Sequence, residues 1–258
     1  LPLIALTGSV WANLSTDARW PYTDWLLALA LLLGGWRPWW ETLAHTDWAT
    51  PLSQWRTWNA TLPTPLLPYT QIDAPGATLA HTVGQARHWW RAVGSDALRA
   101  PLQQAGLALA LALLLSAIQG RTTLLLTLLF LAWSELAVLW NGGAGRMGSG
   151  WMAWALTGAP WLLGASLCTR DLGMPSAAAL VLAALVGCHA HASWLAGIGP
   201  LIGAAFLVWQ GQGTAAGWLL LLALPGLNLL RERPAPEVYQ RAIVPWLLAM
   251  IGLIAGGQ

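Results

Sequence analysis

The chain has 258 residues, of which 57% are hydrophobic and 9% charged, and its formal net charge is +2. From Ala105 to Leu230 the charged side chains are Arg121, Glu135, Arg146, Arg170 and Asp171 alone, too few to give helices a polar face. These features exclude a water-soluble globule and a nucleic-acid-binding surface, and they make lipid the expected solvent, with a bacterial inner membrane the expected location.

In chain order, the opening stretch Leu1–Leu14 is apolar without a basic leader. It reads either as the rest of a trimmed first helix or as a segment lying at the interface. The first span is expected over Trp25–Trp36. A long polar stretch, Arg37–Pro101, follows and holds Glu41, Asp47, Asp73 and Asp96. Further spans are expected at Gln104–Ile118, Thr122–Trp140, Trp151–Cys168, Pro175–Cys188, Trp194–Trp209, Ala215–Leu230 and Ile243–Ala255, about eight in all. The expected architecture is therefore an all-α, polytopic membrane bundle with three segments. Residues 1–36 carry the apolar start and first span, 37–103 a Trp-rich interfacial loop with short helices, and 104–258 the multi-span bundle.

The seams between spans are short. Gln119-Gly120-Arg121 predicts a tight turn, Asn141–Gly150 a glycine-rich loop, and His189–Ser193 a further turn. Counting crossings puts the long stretch, the glycine-rich loop and the two histidines on one face. There are 20 tryptophans, no lysine, and two cysteines that form neither a disulfide framework nor a zinc pattern, so no metal is expected.

The long stretch carries most of the polar chemistry. Trp36, Trp39, Trp40, Trp48, Trp55, Trp58, Trp89 and Trp90 make it an amphipathic cap along the interface. Its acids follow helix-starting residues at Thr46-Asp47 and Ser95-Asp96, where a carboxylate also serves as a cap. Glu135 is the one acid well inside a span. Such a group costs about 2.5–3.5 kcal/mol on insertion scales, so it is expected to face the bundle with Thr123, Thr127 or Ser134 as partner. His189 and His191 point about 200° apart if helical and cannot grip one metal together. A single imidazole ligating haem or a chlorin, or simple hydrogen bonding at a helix junction, both fit. Gly199–Gly203 is a GxxxG face for close helix contact.

The order of these features resembles the GT-C membrane glycosyltransferases, a group with protein O-mannosyltransferases and aminoarabinose transferases. The resemblance is carried by Ala44-His45-Thr46-Asp47-Trp48 after the first span, the Asp73-Ala74-Pro75-Gly76 turn, the segment Trp90 to Pro101, and Gly187-Cys188-His189-Ala190-His191. It implies transfer of a sugar from a polyprenyl-phosphate donor, with Asp47 as general base. Arg56, Arg87 and Arg91 would hold the phosphate, and Asp73, His189 and His191 would line the substrate site. The chain departs from the group in having Asp47-Trp48 where it usually has Asp-Glu, and in being shorter.

The competing expectation is a non-catalytic accessory subunit of a larger membrane complex, packing on partner chains, lipids, pigment or haem. An enzyme needs a polar cleft beneath residues 40–100 containing Asp47 and an arginine. An accessory subunit leaves Asp47 solvated or at a helix start.

Overall fold

In a computed structural model the chain is all-helical, and no strand occurs among the described residues, which are 1–13, 21–58, 75–141, 149–169, 172–190, 194–231 and 236–256. Among the described residues, two helices are long and apolar enough to cross a membrane, Leu79–Gln119 and Arg121–Trp140, against about eight spans expected over the whole chain. Other apolar helices, at 173–189, 198–209, 213–229 and 241–256, contribute 10–17 residues each.

The first segment is a packed helix, α1 (Pro2–Asn13), with Ala5, Leu6, Ser9 and Val10 buried. Next, α2 (Tyr22–Leu31), a π-helical turn (Leu32–Trp36) and α3 (Arg37–His45) run on without a break. The helix thus continues nine residues past the expected end at Trp36. A short α4 (Ala49–Thr57) follows. Then α5 (Pro75–Trp89), a second π-helical turn (Trp90–Gly94) and α6 (Ser95–Gln119) form another unbroken rod. The span expected to begin at Gln104 is only its last part. Pro101 lies inside α6 without ending it, because a proline costs a helix one hydrogen bond and a local bend, which neighbouring packing can offset.

α7 (Arg121–Trp140) returns after a one-residue turn. Gly120 makes that turn at φ +114°, a backbone conformation that side-chain-bearing residues rarely adopt. Gly120→Ala should therefore lower stability by about 1–2 kcal/mol, read from the unfolding midpoint in detergent, although a methyl group there would meet nothing within 4 Å.

The chain then forms α8 (Ser149–Ala153), a third π-helical turn (Trp154–Gly158) and α9 (Ala159–Ser166). Two of the three π-helical turns, Leu32–Trp36 and Trp154–Gly158, stand directly before helices whose second residue is a proline, Pro38 or Pro160. A proline ring collides with the carbonyl four residues back and offers no N–H, and a widened turn accommodates both. The remainder is α10 (Gly173–Ala190), a 3₁₀ turn (Trp194–Gly197), α11 (Ile198–Trp209), α12 (Gly213–Arg231) and α13 (Pro236–Gly256).

These helices bury two apolar cores. One gathers α2, α3, α6 and α7 with part of the 149–166 helix; the other gathers α10 to α13 with α1 and α9. In the first, α6 runs antiparallel to α2–α3: Gln119 Nε2 donates to the Asp24 carbonyl at 2.9 Å, and Gly35 lies so close to Ala112 that a methyl there would stand 2.9 Å from its Cα. In the second, Gly199 sits against the Leu185 backbone of α10, while Gly203 faces Leu219 of α12. The GxxxG pair thus lets α11 approach two neighbours, one glycine for each.

Candidate functional site

The most elaborate packing lies where α3 meets α7, and it is built on tryptophans. Trp36, Trp39 and Trp40 are 2%, 7% and 2% exposed. The expectation that they cap the interface is corrected: the helix carries them past Trp36 into the core. An indole needs an acceptor for its N–H when buried, and each finds one on a neighbouring helix. Trp36 Nε1 donates to Thr127 Oγ1 at 3.2 Å, Trp39 Nε1 to Ser134 Oγ at 2.7 Å, and Trp40 Nε1 to Met152 Sδ at 3.2 Å. Since 36 pairs with 127 and 39 with 134, α3 and α7 run parallel.

Ring stacking continues the contact. Trp36 and Phe130 stack with centroids 4.5 Å apart, and Trp40 and Trp133 at 5.3 Å. Trp133 also touches Trp151 at 5.2 Å and Trp154 at 6.3 Å. Two clefts flank this cluster and share Trp36 and Phe130. The first, about 280 Å³, is lined by Trp133, Trp154, Leu126, Leu129, Ala159 and Leu162 as well. The second, about 250 Å³, adds Trp40, Met152 and a polar edge of Arg37, Glu41 and His45. That edge is self-satisfied: Arg37 Nε pairs with Glu41 Oε1 at 2.7 Å, and His45 Nδ1 donates to the Glu41 carbonyl at 2.9 Å. Such clefts can hold an apolar group.

Thr127 and Ser134 are therefore engaged by tryptophans, and Glu135 does not take them. Glu135 is exposed on the outer side of α7, so the expectation that it faces the bundle is corrected. The helical step of about 100° explains this, since burying Ser134 and Phe130 turns residue 135 away from them.

Asp47 is exposed between α3 and α4, and its Oδ1 accepts the Thr50 N–H at 3.0 Å, tying down the first turn of α4. Hydrogen bonds from Thr50, through its side chain first and its backbone second, hold the Asp47 carboxyl below its ordinary value of 3.8. A depressed value means the bond stabilises α4 fully above pH 3.8 and loses its effect as pH falls through the lower folded value. Helicity of α4 should accordingly be flat from neutral pH down to about 4 and fall in stronger acid, as followed by hydrogen exchange at residues 49–57.

Arg87 and Arg91 are exposed and one turn apart, at the junction of α5 with its π-helical turn. The end of α4 docks on that same region: Trp55 meets Trp89 edge-on at 5.8 Å, and Trp58 lies 6.0 Å from His88. Arg56 belongs to this last turn of α4, and its side chain is outside the described residues. Asp47 sits eight residues before Trp55, roughly 12 Å along the helix if helical throughout, and among the described residues no ion pair joins it to Arg87 or Arg91. Asp73 and His191 lie outside the described residues. His189 is buried near the end of α10, where its Nδ1 donates to the Leu185 carbonyl at 2.7 Å. No cluster of three or more His, Cys, Asp or Glu suited to a metal occurs among the described residues.

The Trp36–Phe130–Trp133–Trp154 cleft was not anticipated from the chain. Its signal was the i, i+3, i+4 spacing of Trp36, Trp39 and Trp40, which places all three on one helical face. No protein-family model, curated protein or solved structure matches the chain.

Proposed function

We propose that the protein is a non-catalytic, membrane-embedded accessory subunit that packs on partner chains and lipid. The membrane reading is supported by the two long apolar helices and by large side chains turned outward along them, such as Leu107 at 65%, Leu129 at 66% and Leu139 at 74% exposure. A water-soluble fold would not leave such continuous apolar faces open.

One observation supports the non-catalytic reading: several polar side chains inside the described helices are engaged by other helices or by their own backbone. Thr127 and Ser134 bind indoles, Thr157 and His189 bond within their own helices, and Arg37 and Glu41 bond each other. Asp47, the foremost candidate base, faces solvent with its carboxylate engaged by Thr50. A general base works best with its affinity for protons raised towards the operating pH, whereas this carboxyl is shifted the other way.

A second reading, sugar transfer from a polyprenyl-phosphate donor, keeps one support: α4 docks beside Arg87 and Arg91, a pair able to hold a phosphate. Asp47→Asn separates the two readings, because asparagine can still accept the Thr50 N–H while losing basicity. Under the accessory reading, membranes carrying the variant retain full function of the complex and full yield of the protein. Loss of polyprenyl-phosphate-dependent sugar transfer, with the variant still folded, would overturn it in favour of the enzyme.

A further inference from the structure

We propose that the cleft between α3, α7 and the 149–166 helix seats one phosphatidylethanolamine, with an acyl chain against Trp36 and Trp40 and the headgroup on Arg37 and Glu41. The proposal rests on the membrane reading above and names the lipid.

The site follows from two neighbouring rows along α3 and the turn before it. Residues four apart share a helix face, so Trp36 and Trp40 form one row and Arg37, Glu41 and His45 the next. The first row is buried, with both indoles 2% exposed, whereas the second is exposed. Both rows line the cleft of about 250 Å³, which Phe130, Met152 and Leu156 help to close. An apolar cavity of about 150 Å³ already takes up benzene, so this one has room for a stretch of acyl chain. Two π-helical turns border it: Leu32 and Trp36 belong to one, Ala155 and Leu156 to the other. Such widened turns are frequent at functional sites.

Depth orients the occupant. Trp39 stands level with Ser134 of α7, to which it donates. Six residues further along each of these parallel helices, about 9 Å, come His45 and Trp140. The polar row thus climbs towards the end of the apolar stretch of α7, where headgroups begin, while Leu32 and Phe130 lie towards the bilayer interior. An amphiphile fits with its chain inward and its head at the rim, as a phospholipid of that leaflet already stands.

The rim selects the head. Acyl chains are as apolar as the cleft wall, so burying one confers no preference over the surrounding bilayer. Arg37 and Glu41 are half-exposed, and the bond between them spends one of the five guanidinium N–H donors and one carboxylate oxygen. The remaining guanidinium donors suit a phosphate, and the second carboxylate oxygen suits a primary ammonium. Phosphatidylethanolamine carries both and meets the rim charge for charge. Phosphatidylglycerol would set a net negative charge beside Glu41, and the quaternary ammonium of phosphatidylcholine has no N–H to donate.

The test uses the full chain in mild detergent. Dioleoyl phosphatidylethanolamine, phosphatidylcholine and phosphatidylglycerol are titrated separately, and bound lipid is counted by native mass spectrometry. Phosphatidylethanolamine should bind roughly tenfold more tightly than either other lipid, the order of one charge-assisted hydrogen bond. Glu41→Gln can still accept from Arg37 but loses the charge, and it should erase that preference. An exposed i, i+4 pair adds little to stability, so this variant should keep the wild-type unfolding midpoint. Leu156→Trp fills the cleft and should weaken all three lipids. Equal binding of the three lipids by wild type, tighter binding of phosphatidylglycerol, or a preference that survives Glu41→Gln overturns the proposal. So does a folded Leu156→Trp variant that binds as wild type does. An alkaline wash of native membranes separates the two levels: release of the chain defeats the membrane reading, whereas a retained chain without lipid preference defeats only this site.

Discussion

Trp36→Ala should lower the unfolding free energy by about 3–5 kcal/mol, the range for deleting a large buried aromatic whose cavity cannot fully collapse. Trp36 is 2% exposed, stacks on Phe130 and lines both clefts of the aromatic cluster. Its removal merges those clefts and leaves the Thr127 hydroxyl without its indole donor. Unfolding titrations in mild detergent give the size of the loss. Trp36→Phe serves as the calibrating variant. It retains a ring against Phe130 and removes the N–H, so its cost should fall near the 1–3 kcal/mol of an orphaned buried polar group together with a modest volume change. If Trp36→Ala and Trp36→Phe cost the same, the cluster is held by the hydrogen bond and not by packing.

Gly164→Ala should cost about 1–3 kcal/mol and should loosen α1 selectively. A methyl at this position would run into the carbonyl oxygen of Leu6 and stand 3.0 Å from Ser9 Cβ. Backbone cannot yield as a side-chain tip does, so α1 must back away from α9. Hydrogen exchange over residues 2–13 should rise well above that of α6, which packs on α2, α3 and α7. Gly252→Ala is the control, since a methyl there meets nothing within 4 Å; in a helix that exchange stabilises by about 0.5–1 kcal/mol. Equal effects of the two substitutions would mean that α1 does not depend on close approach to α9.

The helical class and most later helix limits were legible from hydropathy alone. The segments expected at Thr122–Trp140, Trp151–Cys168, Pro175–Cys188 and Ala215–Leu230 fall within a few residues of α7, the 149–166 helix, α10 and α12. The tight reversal at Gly120 was legible too, because no other residue suits a one-residue link between two apolar helices. Residues 75–103 were not. Their polar side chains and Pro101 read as an interfacial loop with short helices, whereas the structure makes them one continuous helix from Pro75. Composition reports which solvent a segment meets, and a helix can leave an apolar environment without losing its hydrogen bonds.

The site was less legible than the fold. Asp47 stands out in sequence as an acid in a Trp-rich stretch, and its exposure and its bond to Thr50 become visible only once α4 is placed. Glu135 stands out in the sequence as an acid in an apolar helix, but its direction depends on which neighbours claim the opposite face. Thr127 and Ser134 were claimed by Trp36 and Trp39, residues 91 and 95 positions away in the chain.

By itself the sequence determined that the chain is helical and rich in apolar surface, where its tight turn lies, and which residues are too polar to ignore. Periodicity and hydropathy are local quantities, and they suffice for that. Only the tertiary structure decided that three tryptophans form a core instead of a cap, that Asp47 faces solvent, and that Glu135 faces outward. Those outcomes turn on which helix faces meet, and that choice is made by hydrogen-bond and packing partners distant in the chain.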